Sequence, residues 1–330
     1  MLKEYKADQI RNVAIVGHGG TGKSTLFDAM LMVGGKVDKI GTPNQGTLTS
    51  DFDDDEKKRM MSIRSALGFV ELDGVKINFI DTPGTADFIG EARAAIQVAE
   101  TVILVVDAVD GVQIETEKAW RYLAENNIPR IIFVNKMDKE RASFEKVMEN
   151  IKTGLKANIA PLCIPSGEAD TFAGVIDLYR MKLQTPKAGG KDVAVADVPA
   201  DVKAKAEAER TKLVEVAAEG DDALIEKFLE GEALTDDEIK KGLQAQLANA
   251  KLFPVVCGSS LSATGVKNLL NVIKDFAPAP KIGREYAGHD ADDASKEIKI
   301  PMGENGTLAA VVWKTYIDQY AGRFNYLRVI

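Results

Sequence analysis

The most constraining stretch of this chain is Gly17-His18-Gly19-Gly20-Thr21-Gly22-Lys23-Ser24, followed by Thr25. It fits the phosphate-loop pattern G-x-x-x-x-G-K-[ST]. The apolar run 13–16 ahead of it reads as a strand, and 23–32 reads as a helix. Strand, glycine-rich loop and helix is the context the pattern needs. Glycines let backbone N–H groups turn inward onto the α- and β-phosphates of a nucleotide. The helix N-terminus adds favourable partial charge at the same place. Lys23 is expected to reach the β- and γ-phosphates, and the Ser24 hydroxyl to ligate Mg²⁺.

Downstream, 34–59 is polar and 51–55 is strongly acidic, which reads as a surface loop. Nucleotide switches keep a mobile element in this position, ordered by the γ-phosphate and Mg²⁺. A hydroxyl is needed to report on them; Ser62 is the best placed, with Thr42, Thr47 and Thr49 as rivals. Runs 69–72 and 75–80 around Asp73-Gly74 read as a hairpin. Its second strand leads into Asp81-Thr82-Pro83-Gly84. A carboxylate at that strand end can hold Mg²⁺ through water. The Gly84 N–H can donate to the γ-phosphate, and Pro83-Gly84 makes a hinge.

Strands then alternate with helices: 101–106, 114–125, 130–134 and 143–152. The strands are apolar runs rather than alternating patterns, which predicts a mostly parallel sheet covered on both faces. The strand 131–134 ends in Asn135-Lys136-Met137-Asp138. An aspartate there accepts from both N1–H and the N2 amino group of guanine. Adenine has neither group, so it would leave the carboxylate unpaired at a cost of several kcal/mol. Asn135 would hold the loop, and the stem of Lys136 would lie along the ring. The sheet resumes at 253–257, and Gly258-Ser259-Ser260 offers a backbone N–H to the guanine O6. A helix at 266–276 closes the unit before Pro278 and Pro280.

A nucleotide domain needs only a few tens of residues between those two base-binding loops. The excess implies an insert. The expected organisation is a GTP-binding domain at 1–158 and 251–280, an inserted subdomain at 159–250, a linker at 281–302 and the first strands of a β-barrel domain at 303–330. Within the insert, strands are predicted at 159–164 and 171–177, a polar loop at 182–199, and helices at 201–218, 221–230 and 235–249. Thr235 and Glu238 read as a capping box. Between 201 and 241 there are thirteen acidic and seven basic side chains, a face that suits solvent or a basic protein partner.

After a turn at 303–306, two strands follow at 308–317 and 324–330. Two strands bury no core of their own, so the chain is expected to be the front of a longer protein. The formal net charge of −8 argues against nonspecific nucleic-acid binding over the whole surface. No apolar run approaches membrane-spanning length, and 1–9 carries no signal core. Cys163 and Cys257 read as buried thiols of a reducing compartment, and the chain as cytoplasmic.

These residues together resemble the G domain and the start of domain II of bacterial translation elongation factor G, over nearly the whole length. Besides the loops above, the resemblance is carried by Ala86-Asp87-Phe88, Phe228-Leu229-Glu230-Gly231-Glu232, Leu234-Thr235 and Tyr320-Ala321-Gly322-Arg323. It implies an α/β P-loop GTPase with an inserted α+β subdomain and the start of an all-β domain. It also implies GTP/GDP and Mg²⁺ as ligands, and a monomer acting on the ribosome in translocation or recycling. Ribosomal RNA and large-subunit stalk proteins would be its partners, with neither DNA nor membrane among them.

Three positions depart from the family pattern. Switch I, usually Arg-Gly-Ile-Thr-Ile, is Arg59-Met60-Met61-Ser62-Ile63. The phosphate loop, usually Asp-Ala-Gly-Lys-Thr, is Gly20-Thr21-Gly22-Lys23-Ser24. The catalytic histidine after Pro-Gly is Thr85. These changes resemble an elongation-factor-G-like paralogous branch. Lys23, Gly84 and Thr85 are then the catalytic candidates, with slow intrinsic hydrolysis expected. The alternative is a GTP-dependent regulatory or assembly module that hydrolyses weakly.

Overall fold

The computed structural model describes residues 3–280, 285–303, 308–318 and 322–330. The first apolar run is β1 (Ile10–Val16), followed by α1 (Lys23–Val33). The segment read as a loop at 34–59 carries a short helix, α2 (Asp54–Arg59), whose N-cap Asp53 accepts from the Asp55 N–H. The predicted hairpin is β2 (Ala66–Leu72) with β3 (Val75–Asp81). Then come α3 (Ile89–Val98), β4 (Thr101–Asp107), α4 (Ile114–Glu125), β5 (Arg130–Asn135) and α5 (Phe144–Leu155).

β4 and β5 are buried at every residue. Successive strand residues point to opposite faces, so full burial means both faces of the sheet are covered. The sheet has seven strands. Their order is β2-β3-β1-β4-β5, then two later strands, β11 (Phe253–Cys257) and β6 (Ile159–Pro161) at the edge. All neighbours are parallel except β2 and β3. The loops that follow β1, β3, β5 and β11 therefore leave the same edge, at the C-terminal ends of these strands.

The insert departs from expectation at two places. The strand expected at 159–164 is two strands in two sheets. β6 pairs with β11 in the main sheet, and β7 (Cys163–Ser166) opens a separate antiparallel sheet with β8 (Gly174–Asp177). The polar loop expected at 182–199 is instead a hairpin, β9 (Lys182–Pro186) with β10 (Val193–Asp197). β10 is an exposed edge whose only apolar stretch, Val193-Ala194-Val195-Ala196, is short, built of small residues and set between polar segments. Helices α6 (Ala200–Ala218), α7 (Asp222–Leu229) and α8 (Asp236–Ala248) follow. The capping box is formed: Thr235 N–H donates to Glu238 Oε2 at 2.7 Å, and Glu238 N–H donates to Thr235 Oγ1 at 3.3 Å.

Beyond β11 lies α9 (Val266–Phe276), which meets the insert at Asp177. That buried carboxylate accepts from Arg180 Nη1 at 3.0 Å and Asn268 Nδ2 at 3.1 Å. The expected linker at 281–302 contains a paired hairpin, β12 (Glu285–His289) with β13 (Glu297–Pro301). β14 (Ala310–Asp318) and β15 (Gly322–Val329) form the second ribbon. Residues 281–284 of the expected linker, 304–306 of the expected turn, and Tyr320 and Ala321 lie outside the described residues. Among the described residues no helix is long and apolar enough to cross a membrane.

Candidate functional site

The loop between β1 and α1 closes on itself. Lys23, only 6 % exposed, donates from Nζ to the His18 carbonyl at 2.8 Å. Burial pulls its pKa down, and the neighbouring Asp81 carboxylate works against that shift. Gly84 sits directly on this lysine: a Cβ there would stand 2.2 Å from Lys23 Nζ. The same Cβ would also stand 2.9 Å from the Gly17 carbonyl oxygen and from the Gly19 nitrogen, backbone atoms that cannot swing away, so the position favours glycine. Thr85 follows, its Oγ1 buried without a hydrogen-bond partner among the described residues, and its methyl stands 3.7 Å from where a Cβ on Gly19 would be.

Ser24, at the start of α1, meets Ser62 hydroxyl to hydroxyl at 2.9 Å. Of the four candidate hydroxyls, the structure brings Ser62 to the phosphate loop. The Thr47 hydroxyl accepts from the Thr42 N–H instead, and Thr49 is tied by its N–H to Asp28. Asp81, at the end of β3, is 1 % exposed, and its Oδ1 has no hydrogen-bond partner. Burial pushes its pKa up, with the Ser24 hydroxyl and Lys23 pulling back. A buried carboxylate oxygen without a partner is costly. With two serine hydroxyls nearby, it belongs to an oxygen-only donor set of the kind a hard divalent cation takes.

Two further carboxylates shape this region, and neither stood out in the sequence. Asp28 of α1 accepts the Gly41 N–H at 2.9 Å and the Thr49 N–H at 3.1 Å. Glu56 of α2 is fully buried; its Oε1 accepts the N–H groups of Ile63 at 2.9 Å and Arg64 at 3.0 Å. They pin the chain on either side of Ser62. Both were hidden in runs that read as a helix face and a solvated acidic loop.

The second loop starts where β5 ends. Asn135 is wholly buried; its Nδ2 donates to the Thr21 carbonyl at 2.8 Å and to Ser260 Oγ at 3.0 Å. Gly22 lies so close that a Cβ would stand 2.5 Å from that same Nδ2. Lys136, in the left-handed region at φ 65°, reaches back to the Gly20 carbonyl at 2.7 Å. It also pairs with Asp107 Oδ2 at 2.6 Å. Asp107, at the end of β4, is a third carboxylate that did not stand out in the sequence. The Met137 N–H donates to the Gly258 carbonyl at 3.1 Å, and the Ser259 N–H to the Thr264 carbonyl at 2.9 Å. Asp138 is half-buried and makes no hydrogen bond or ion pair among the described residues. The phosphate loop, the 135–138 loop and the 258–260 loop thus form one hydrogen-bonded unit. Beside it runs a cleft of about 470 Å³, lined among others by Gly22, Ser24, Ser62, Gly84, Thr85 and Lys136.

The elongation factor Tu GTP binding domain family matches residues 8–279. The chain belongs to this family. A crystal structure of a protein from Thermus thermophilus is similar to it, with a TM-score of 0.85 and 30 % identity. That match covers 98 % of this chain and 46 % of the other, so the chain spans less than half the length of that relative. Members of the family are GTPases. The chain therefore carries a GTP-binding domain of the translation-factor type, with further β-strands beyond it.

The two cysteines, far apart in sequence, touch. Cys163 Sγ and Cys257 Sγ are 3.7 Å apart, both free and both buried. Their contact joins β7 of the insert to β11 of the main sheet.

Proposed function

We propose that this chain is the GTP-hydrolysing part of an elongation-factor-G-like ribosomal factor. The supporting observation is Asn135, which joins the guanine-type loop to the phosphate loop through Thr21 and to the 258–260 loop through Ser260. Asp138 would accept from N1–H and N2 of guanine, with the stem of Lys136 on the ring and the backbone of 258–260 near O6. The backbone N–H groups of 17–25 would hold the phosphates, Lys23 the β–γ pair and Gly84 the γ-phosphate. Ser24 and Ser62, with Asp81 through water, would hold Mg²⁺, which neutralises charge on the transferring phosphoryl group. Lys23 currently satisfies itself on the His18 carbonyl, so binding exchanges that bond for phosphate oxygens.

In this reading the insert lies between β6 and β11. Its acidic helices offer a surface to the stalk proteins of the large ribosomal subunit, while ribosomal RNA contacts the molecule elsewhere. The factor acts as a monomer in the cytoplasm. Thr85 supports a second reading, a GTP-dependent regulatory module with weak hydrolysis, because a hydroxyl cannot replace imidazole donors at the same reach. Cosedimentation with ribosomes, in GDP and in a non-hydrolysable GTP analogue, separates the two. Pelleting that requires the triphosphate supports the ribosomal factor; none in either nucleotide supports the module. Stimulation of GTP hydrolysis by intact but not by stalk-depleted ribosomes tests the role of the insert.

A further inference from the structure

β14 carries one irregularity. Val312 pairs with Leu327 and Lys314 with Tyr326, so the register steps between them. Such a bulge re-aims the side chains that follow. Lys314 and Tyr316, two residues apart and so on one face of the strand, turn onto the segments that flank the nucleotide cleft. Lys314 Nζ donates to the Ser65 carbonyl at 2.8 Å and to Glu91 Oε2 at 2.9 Å. The same Glu91 oxygen accepts the Ser65 N–H and the Ser65 hydroxyl, each at 2.8 Å. The Tyr316 ring takes the Arg64 guanidinium over its face, 5.1 Å from the centroid, and Phe52 at its edge.

These contacts tie three elements to one ammonium group. Ser65 lies three residues beyond Ser62, in the segment that Glu56 pins. Glu91 sits in the first turn of α3, six residues beyond Thr85. The Lys314 side chain is only 7 % exposed. Its charge is compensated by Glu91, and a buried ammonium that loses its carboxylate is strongly disfavoured. Burial works against the charged form of Glu91, yet the Ser65 N–H, Lys314 and the Ser65 hydroxyl outweigh it and hold the carboxyl below its ordinary range. The three groups are therefore linked: if either flanking segment shifts, Lys314 loses the Ser65 carbonyl or the Glu91 carboxylate as an acceptor.

We propose that Lys314 is a positioning residue for the GTPase, locking the chain after Ser62 and the first turn of α3 onto the β14–β15 ribbon, so that retention of the γ-phosphate and the position of the ribbon are coupled. This rests on the nucleotide reading above, in which Ser62 and Gly84 respond to the triphosphate end. Coupling of this kind runs both ways: a force that displaces the ribbon loosens the triphosphate, and the triphosphate stiffens the ribbon.

The test uses the full chain, with Lys314→Met, Glu91→Gln and the two combined. Dissociation of fluorescent GDP and of a fluorescent non-hydrolysable GTP analogue is followed with Mg²⁺ present. Each single variant is expected to release the triphosphate analogue about tenfold faster, the scale of one lost charged hydrogen bond. GDP release should stay within about twofold. The double variant carries no unpaired charge and should match the singles rather than multiply them, because both changes cut one link. It also provides the reading if a single variant fails to fold. Equal acceleration for both nucleotides, or no change for either, overturns the proposal and leaves a purely structural ion pair. A wild type that binds neither guanine nucleotide overturns the nucleotide reading, and the proposal with it.

Discussion

Asn135 and Ser260 exchange two hydrogen bonds: Nδ2 of the asparagine donates to Ser260 Oγ at 3.0 Å, and the Ser260 N–H donates to Asn135 Oδ1 at 2.9 Å. The same amide also holds the Thr21 carbonyl at 2.8 Å. Asn135→Ala would leave the Thr21 carbonyl and the Ser260 N–H and hydroxyl without these partners, at about 1–3 kcal/mol for each buried orphan. We expect GDP and GTP affinity to fall by at least about tenfold together, with a lower melting temperature. Titration with fluorescent GDP and a thermal melt check this. An unchanged affinity would mean that the three loops hold together without the asparagine.

In the proposed reading, base choice rests on a different residue. Asp138 has no partner among the described residues, so its carboxylate is free to accept from a ligand. Asp138→Asn offers a donor where guanine presents two, whereas xanthine presents a carbonyl at C2. Guanine nucleotides should lose about 10²-fold or more in affinity, and xanthine nucleotides should gain. Parallel titrations decide it; if the preference does not move, Asp138 is not in the base pocket.

Thr85 sets the expectation for rate. Its hydroxyl is buried and without a partner beside Gly19, and it is shorter than an imidazole. A missing positioning group costs about 10²-fold in a hydrolytic step. Thr85→His is expected to raise ribosome-stimulated single-turnover hydrolysis by roughly that factor, with little change in GTP affinity. No gain from histidine would show that another group positions the water.

The insert has a pH signature. Lys227, then the Thr235 N–H and hydroxyl, hold the Glu238 carboxyl down at about 2, from an ordinary value of 4.5. A depressed carboxyl stabilises the fold above its unfolded pKa, and that contribution fades as pH falls from 4.5 towards 2. Glu238→Gln removes the effect. The difference in urea midpoint between wild type and variant should be largest at neutral pH and shrink across that window. A difference independent of pH would show that only the packing of the residue matters.

The legible parts of this molecule were local ones. The phosphate loop is contiguous, and β4 and β5 announce themselves because every residue is buried and apolar runs dominate them. Asn135-Lys136-Met137-Asp138 is likewise four residues in a row. What the pattern hid depends on partners distant in sequence. Glu56 looks like one more acid in 51–56, yet it is fully buried because Ile63 and Arg64 turn their N–H groups onto it. Asp107 reads as a strand end until Lys136 closes on it. β9 is mostly polar, and β10 offers only the short run Val193-Ala194-Val195-Ala196 on an exposed edge, so their pairing, not their composition, makes them strands. β6 and β7 looked like one strand since only the pairing partners, β11 and β8, distinguish them.

The place of the insert between β6 and β11 bears on the order of assembly. Asn135 and Ser260 are 125 residues apart, and closing a floppy loop of that length costs about 4 kcal/mol in chain entropy. β6 and β11, which flank the insert, are paired neighbours, so an insert that has already folded delivers β11 close to its slot and shortens the search. The Asn135–Ser260 contact is then completed late, by the arrival of a strand whose timing is set elsewhere. Lesions at Leu213 or Leu243, buried in the insert and outside the lining of the cleft, would register first as slow or incomplete acquisition of nucleotide during refolding.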